Sequence, residues 1–160
     1  MPITHAHFIS SSFADAQSPV FCAATGHYYK LVSSSTVTYS FEAAVNIAGS
    51  TWNNFNPGYL ATITTTAERD CVKTMMYPGN QWVGGIDYYS EGTFRWVDGP
   101  EAGSPITSFW GDGEPNGGRS ENCIVLISTG VFVDYFCSYL SPAFLIEFNN
   151  DAPEACTFMT

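Results

Sequence analysis

From Val37 to Ala48 the apolar positions recur with a helical period. Phe41, Ala44, Val45 and Ala48 fall at i, i+3, i+4 and i+7 on one face, and Gly49 follows as a stop. This predicts a helix over 37–48. A second helix is expected to start near Thr65, where Thr65 and Glu68 have the spacing of a capping box. Ala67, Cys71 and Met75 follow on one face, and Pro78-Gly79 ends the pattern. Beyond Gly79 the period changes. Runs rich in Val, Ile, Phe and Trp at 81–86, 93–97, 123–128, 131–136 and 143–148 alternate with Gly, Pro, Asn and Asp, and read as short strands. The stretch 98–122 has no strand pattern, many Gly and Pro, and a cluster of acids. A structureless stretch of that length inside a compact domain is usually functional or disordered, and Trp110 beside the acids favours function.

Composition narrows the class. The chain has 160 residues, enough for one domain with a real core. Only 12 % of residues are charged while 16 % are aromatic, which suits a loop-rich β-containing domain rather than a charged bundle or a disordered tail. A net charge of −10 with five basic residues excludes nucleic acid as a partner. No apolar run reaches the roughly 18 residues needed to span a bilayer. Residues 1–21 read as an N-terminal arm without the basic and apolar regions of an intact signal peptide, although Ala14-Asp-Ala16 resembles the end of one. Residues 22–149 then form the domain and 150–160 a tail.

Cysteines stand at 22, 71, 123, 137 and 156. With no Cys-x-x-Cys among them, neither zinc nor a redox dithiol is indicated. Low charge, abundant Ser and Thr and the acidic balance point to an oxidising, extracellular setting. There a short loop such as 123–137 would gain on the order of 3 kcal/mol from closure by a disulfide.

The chemistry concentrates in Trp110-Gly-Asp-Gly-Glu-Pro-Asn116, Glu121-Asn-Cys123 and Asp134-Tyr-Phe-Cys137. Carboxylate and amide oxygens spaced this way suit a hard cation such as Ca²⁺, which takes six to eight oxygens in flexible geometry. The competing reading is that Glu114-Pro-Asn116 shapes a turn and Asp134 caps backbone amides. His5, His7 and His27 have no metal-motif spacing. Tyr88-Tyr89 is the one aromatic pair suited to an exposed stacking platform.

From Gly26 to Phe148 the chain resembles a C-type lectin-like domain, with landmarks in family order. Gly26-His-Tyr-Tyr-Lys-Leu31 is similar to the first strand, and Ser40-Phe-Glu-Ala-Ala44 to the first helix. Leu60-Ala-Thr-Ile63 with Glu68 is similar to the start of the second helix. Trp82-Val-Gly84 and Glu91-Gly-Thr-Phe-Arg-Trp-Val-Asp-Gly99 resemble the strands that follow. Trp110-x-x-Gly-Glu-Pro-Asn116, Glu121-Asn-Cys123, Phe132-x-Asp134-x-x-Cys137 and Phe144-Leu-Ile-Glu147 complete the set.

The resemblance implies an α+β fold, two helices with two small antiparallel sheets and a long ligand loop. It implies a secreted or cell-surface, non-enzymatic domain that binds glycans or glycoproteins through Ca²⁺. It pairs Cys123 with Cys137. The family's other disulfide positions hold Ala48 and Ile146, so apolar packing is expected to replace that bridge. Because the family brings its two ends together, a Cys22–Cys156 bridge is expected, with Cys71 as a small buried apolar residue.

Carried over residue by residue, the cation and sugar ligands are Glu114, Asn116, Glu121 and Asp134, with a cis bond before Pro115. The Glu-Pro-Asn order implies mannose-type preference. Val133 stands where the family has Asn, which removes one oxygen and one sugar contact. An auxiliary cation site is implied at Asp87, Glu91, Glu121 and Asn122, but Gly117 replaces an expected acid. The alternative is a structural or adhesive domain that makes protein contacts without sugar, and the N-terminal arm could join copies of the chain by adding a strand to a neighbour.

Overall fold

The computed structural model describes residues 17–151. In chain order the elements are β1 (Val20–Cys22), β2 (His27–Ser33), α1 (Phe41–Ser50), β3 (Trp52–Asn53), β4 (Asn56–Leu60), α2 (Thr66–Lys73), β5 (Gln81–Ile86), β6 (Arg95–Trp96), β7 (Cys123–Leu126), β8 (Phe132–Tyr135) and β9 (Ala143–Phe148). Two helices beside a sheet make the fold α+β.

Helix α1 begins at Phe41 rather than at Val37. The Ser40 hydroxyl accepts the Ala43 amide and so caps the helix, while Tyr39 is held extended by a bridge to Ser141. Phe41, Ala44 and Ala48 face the core as the period requires. Helix α2 starts on the expected capping box: Thr65 accepts the Glu68 amide, and the Glu68 carboxylate accepts the amides of Thr64 and Thr65 at 2.6 and 2.9 Å. Its buried residues are Glu68 and Val72 rather than Ala67, and it stops at Lys73, well before Pro78.

The disulfide pattern corrects one expectation. Cys22 is bonded to Cys71, not to Cys156, with Cα atoms 6.2 Å apart. The amides of Thr25 and Gly26 turn back onto the Cys22 carbonyl at 3.1 and 2.8 Å, so β1 folds over β2 and brings Cys22 to α2. Cys71 is therefore half of a crosslink and not a buried thiol. Cys156 lies outside the described residues, as do Ala14–Ala16, His5 and His7. Cys123 and Cys137 are bonded as expected, with Cα atoms 5.1 Å apart.

Strand β9 is the spine. It pairs antiparallel with β2 along its whole length and with β4 through Gly58↔Phe148 to Leu60↔Ile146. A second antiparallel group, β6-β5-β7-β8, joins it through one parallel pair, Trp82↔Phe144. The two small sheets thus share a single seam. Strand β1 begins inside the stretch read as an arm and adds an edge strand to its own sheet.

One apolar cluster, with Phe41, Ala44, Trp82, Phe144 and Phe148, lies under α1; the other, with Val72, Trp96, Ile124 and Phe132, lies on the α2 side. Ala48 and Ile146 are both fully buried in the first. A Cβ on Gly58 would lie 2.6 Å from the Ile146 methyl and 2.9 Å from the Ala48 carbonyl oxygen. The space of the absent bridge is closed by packing, and glycine is what permits it.

Candidate functional site

The long loop is fixed by aromatic packing and two backbone bonds. Phe132 at the start of β8 donates to the Phe109 carbonyl at 2.7 Å, and Gly111 donates to the Phe132 carbonyl at 2.9 Å. Around this clamp the Trp110 ring packs edge-on against Phe94 and Phe132, at 4.9 and 6.1 Å between centroids. Such rings supply both buried area and fixed geometry. Residues 111–117 are thereby laid against the segment of β8 that carries Asp134.

Asp134 is buried. Its two oxygens accept the amides of Asn116 at 3.0 Å and Gly117 at 2.8 Å. The Glu114–Pro115 peptide is cis. A single 3-10 turn over Gly118–Ser120 then returns the chain to Glu121, whose amide donates to the Gly118 carbonyl at 3.0 Å. Gly117 sits directly against Glu121: a Cβ there would collide with the Glu121 carboxylate. The acid expected at 117 has no room while Glu121 holds this position.

The arrangement gathers Glu114, Glu121 and Asp134, with Asn116 contributing its backbone amide and an exposed side chain. Burial, then hydrogen bonding and repulsion from Asp134, push the Glu114 carboxyl up to about 7. Glu121 is raised by burial and then by Asp134. Glu114 Oε2 is buried without a hydrogen-bond partner. The ion pairs among the described residues are His27–Glu147 and Arg69–Asp70, so no Lys or Arg neutralises the loop acids. Each Asp134 oxygen keeps a lone pair beyond the amide it accepts. Carboxylate oxygens without a cationic side chain beside them are the kind of donor that Ca²⁺ takes.

Val133 is half-buried and packs against the cluster under α1, on the opposite face of β8 from Phe132 and Asp134. Asp87, Glu91 and Asn122 line a neighbouring cleft, without Glu121. In it Asp87 Oδ2 accepts the Gly92 amide at 2.7 Å, while Oδ1 is buried without a partner.

Spacing gave no sign of one further cluster. His27 on β2, Glu68 at the start of α2 and Glu147 on β9 bring ligand-capable atoms within 4.8 Å of one another. Each already has protein partners. Glu68 caps α2, and Glu147 binds His27 with one oxygen and the Thr62 amide and hydroxyl with the other, both at 2.9 Å. These residues come from three distant elements, so no local motif could have revealed them.

The family model described as Lectin C-type domain matches residues 51–144. The chain belongs to the C-type lectin family. This family is one of carbohydrate-binding, non-enzymatic domains. The lectin domain is 38 % identical over 105 residues to halomucin of Haloquadratum walsbyi, which covers 66 % of this chain and 1 % of halomucin. It is 38 % identical over 85 residues to the low affinity immunoglobulin epsilon Fc receptor of Mus musculus, covering 52 % of this chain and 25 % of the receptor. Hepatic lectin of Gallus gallus is 34 % identical over 82 residues, 51 % of this chain and 39 % of that protein. The matched stretch is thus well under half the length of each relative.

Among solved structures, the carbohydrate-recognition domain of cow CD23, crystallised in the presence of GlcNAc2Man3 oligosaccharide, superposes with a TM-score of 0.66 at 23 % identity, covering 79 % of this chain and 91 % of that chain. The human scavenger receptor C-type lectin carbohydrate-recognition domain gives 0.62 at 25 %, covering 79 % and 93 %.

Proposed function

We propose that this lectin domain binds neutral sugars of the mannose type through Ca²⁺ held by Glu114, Asn116, Glu121 and Asp134, in an extracellular or cell-surface setting. The partners are glycans or glycoproteins. The observation that carries the reading is Glu114 Oε2, buried, without a partner and beside two other carboxylates. Bound Ca²⁺ would supply free coordination positions for a pair of vicinal hydroxyls. The chain's own part is orientation: Asp134 holds the 116–117 backbone in place, and the Glu114 and Asn116 side chains offer an acceptor and a donor to the same hydroxyl pair. The two disulfides support the oxidising compartment.

An auxiliary cation at Asp87, Glu91, Glu121 and Asn122 extends the proposal. The partnerless Asp87 Oδ1 supports it, and the missing acid at Gly117 weakens it. Self-association through the N-terminal arm, residues 1–21, is a separate proposal, and residues 1–16 of it lie outside those described.

The second reading, a domain for protein contacts alone, is favoured by Val133 and by Trp52 and Phe55, which stand 62 % and 72 % exposed on the β3–β4 hairpin. Thermal unfolding with and without Ca²⁺, followed by a glycan array, decides between the two. Stabilisation by Ca²⁺ and chelator-sensitive retention of mannose-bearing glycans are expected. If millimolar Ca²⁺ leaves both the melting temperature and calorimetric heats unchanged at neutral pH, the protein-contact reading replaces the lectin one.

A further inference from the structure

Tyr88 and Tyr89 are two of the most exposed rings in the described structure, at 74 % and 94 %. They do not hang on a loose loop. Asp87, 3 % exposed, anchors the turn beneath them: its carboxylate accepts the Gly92 amide, its carbonyl accepts the Ser90 amide at 2.9 Å, and Ser90 in turn accepts the Thr93 amide at 2.8 Å. Neither ring stacks on another aromatic ring among the described residues. A pinned turn that holds two adjacent aromatic rings in water has apolar surface left for something else.

The rings border a cleft of about 350 Å³ completed by Asp87, Glu91, Arg119 and Asn122. That size lies within the range of about 300–1,000 Å³ usual for small-molecule clefts. Its lining combines two aromatic rings with charged and amide groups. A pyranose ring combines surfaces of the matching kinds, an apolar C–H face and a rim of hydroxyls. The cleft also begins where the cation site ends. Asn122 follows Glu121, the Asp87 amide donates to the Asn122 carbonyl at 3.2 Å, and Arg119 lies in the turn linking Gly117 to Glu121.

We propose that Tyr88 and Tyr89, with Arg119, form a second saccharide subsite that takes the residue next to the cation-bound sugar in a neutral oligosaccharide. The proposal rests on the sugar-binding reading above. Neutral glycans are favoured over sulfated or sialylated ones because the chain carries a net charge of −10. Tyrosine is suited to the task, offering large contact area with little conformational freedom to lose.

The test is calorimetry on the Ca²⁺-loaded domain, comparing methyl α-mannoside with a mannose trisaccharide. The wild type should bind the trisaccharide about tenfold more tightly, the gain expected of two aromatic contacts. Tyr88→Ala/Tyr89→Ala should keep the monosaccharide affinity and lose most of that gain. Both rings are exposed, so the double variant should fold, and its unchanged monosaccharide binding reports that it has. A wild type that binds the monosaccharide but gains nothing from the trisaccharide overturns the subsite alone. Equal trisaccharide affinity in the double variant does the same. Binding of neither sugar overturns the cation reading together with the subsite. Capture of a high-mannose glycoprotein that survives enzymatic deglycosylation, yet is lost in the double variant, assigns the rings to a protein partner and also overturns the subsite.

Discussion

His27 on β2 and Glu147 on β9 are hydrogen-bonded across the sheet, Nδ1 to Oε1, and Glu147 is completely buried. The bond to Glu147 is the main cause that raises the His27 pKa, with Glu101 and Glu68 adding to it and partial burial opposing. A raised folded-state value means that the protonated pair stabilises the fold fully below the unfolded value of about 6.5, and that this stability is lost as pH rises through the folded value. In chelator, the melting temperature should therefore fall as pH climbs from about 6 to about 8. His27→Gln should lower stability at the acid end and flatten the fall. An identical slope in the variant would remove the pair from the account.

Proton linkage should also appear at the loop acids. With Glu114 raised to about 7, Ca²⁺ must displace a proton at neutral pH and below. Calcium affinity should drop as the solution is acidified through neutrality. The heat of binding should change with the ionisation enthalpy of the buffer at pH 7 but not at pH 9. Buffer-independent heats at both values would place the cation away from Glu114.

The Cys22–Cys71 crosslink spans 49 residues of sequence. By loop-closure entropy, its loss through Cys22→Ser/Cys71→Ser should cost on the order of 2–4 kcal/mol. Urea unfolding of the non-reduced protein would measure this. If instead the double variant is as stable as the wild type and a non-reduced digest of the wild type links Cys22 to Cys156, the pairing described above is wrong.

Specificity should follow the order of the carboxylate and the amide. Glu114→Gln/Asn116→Asp exchanges the two groups about the cation, so preference among free sugars should move from mannose towards galactose. Competition on an immobilised glycan reads this directly. Loss of all sugar binding without a shift in preference would mean that these two side chains do not select the hydroxyl pair.

Val133→Asn places an oxygen and an N–H at a position now filled by a packed methyl pair. Because Val133 lies on the face of β8 opposite Asp134, calcium and sugar affinity should stay unchanged, while the metal-free domain should lose about 1 kcal/mol for the lost apolar contact. A rise in either affinity in parallel titrations would bring this position into the site.

Where the side-chain pattern decides structure, the elements could be read from sequence. β5 and β9 were expected at 81–86 and 143–148 and occupy those residues, since both are mostly apolar runs in the buried centre of the sheet, broken only by the buried Gln81 and Glu147. The start of α1 moved because Val37–Tyr39 obeys a tertiary bridge that periodicity does not see. β4 was missed because it opens with Asn56-Pro57-Gly58, residues that argue for a turn; Pro57 is exposed there, and Gly58 makes room for Ile146. Glu114, Glu121 and Asp134 could be proposed from their motif. The placement of residues 111–117 against β8 depends on the Phe132 clamp, and the steric pairing of Gly117 with Glu121 is visible only in three dimensions.

The Cys22–Cys71 bond has a mechanical side. Three residue pairs hold β1 to β2, and as an edge ribbon it could be peeled away one pair at a time. The covalent link stops that peeling at Cys22. Tension arriving along the chain at Gln17 passes through sulfur into α2 and the packed interior around Val72, instead of unzipping the sheet strand by strand. Residues 111–117, laid against β8 at the far edge of the sheet from β1, lie off that path.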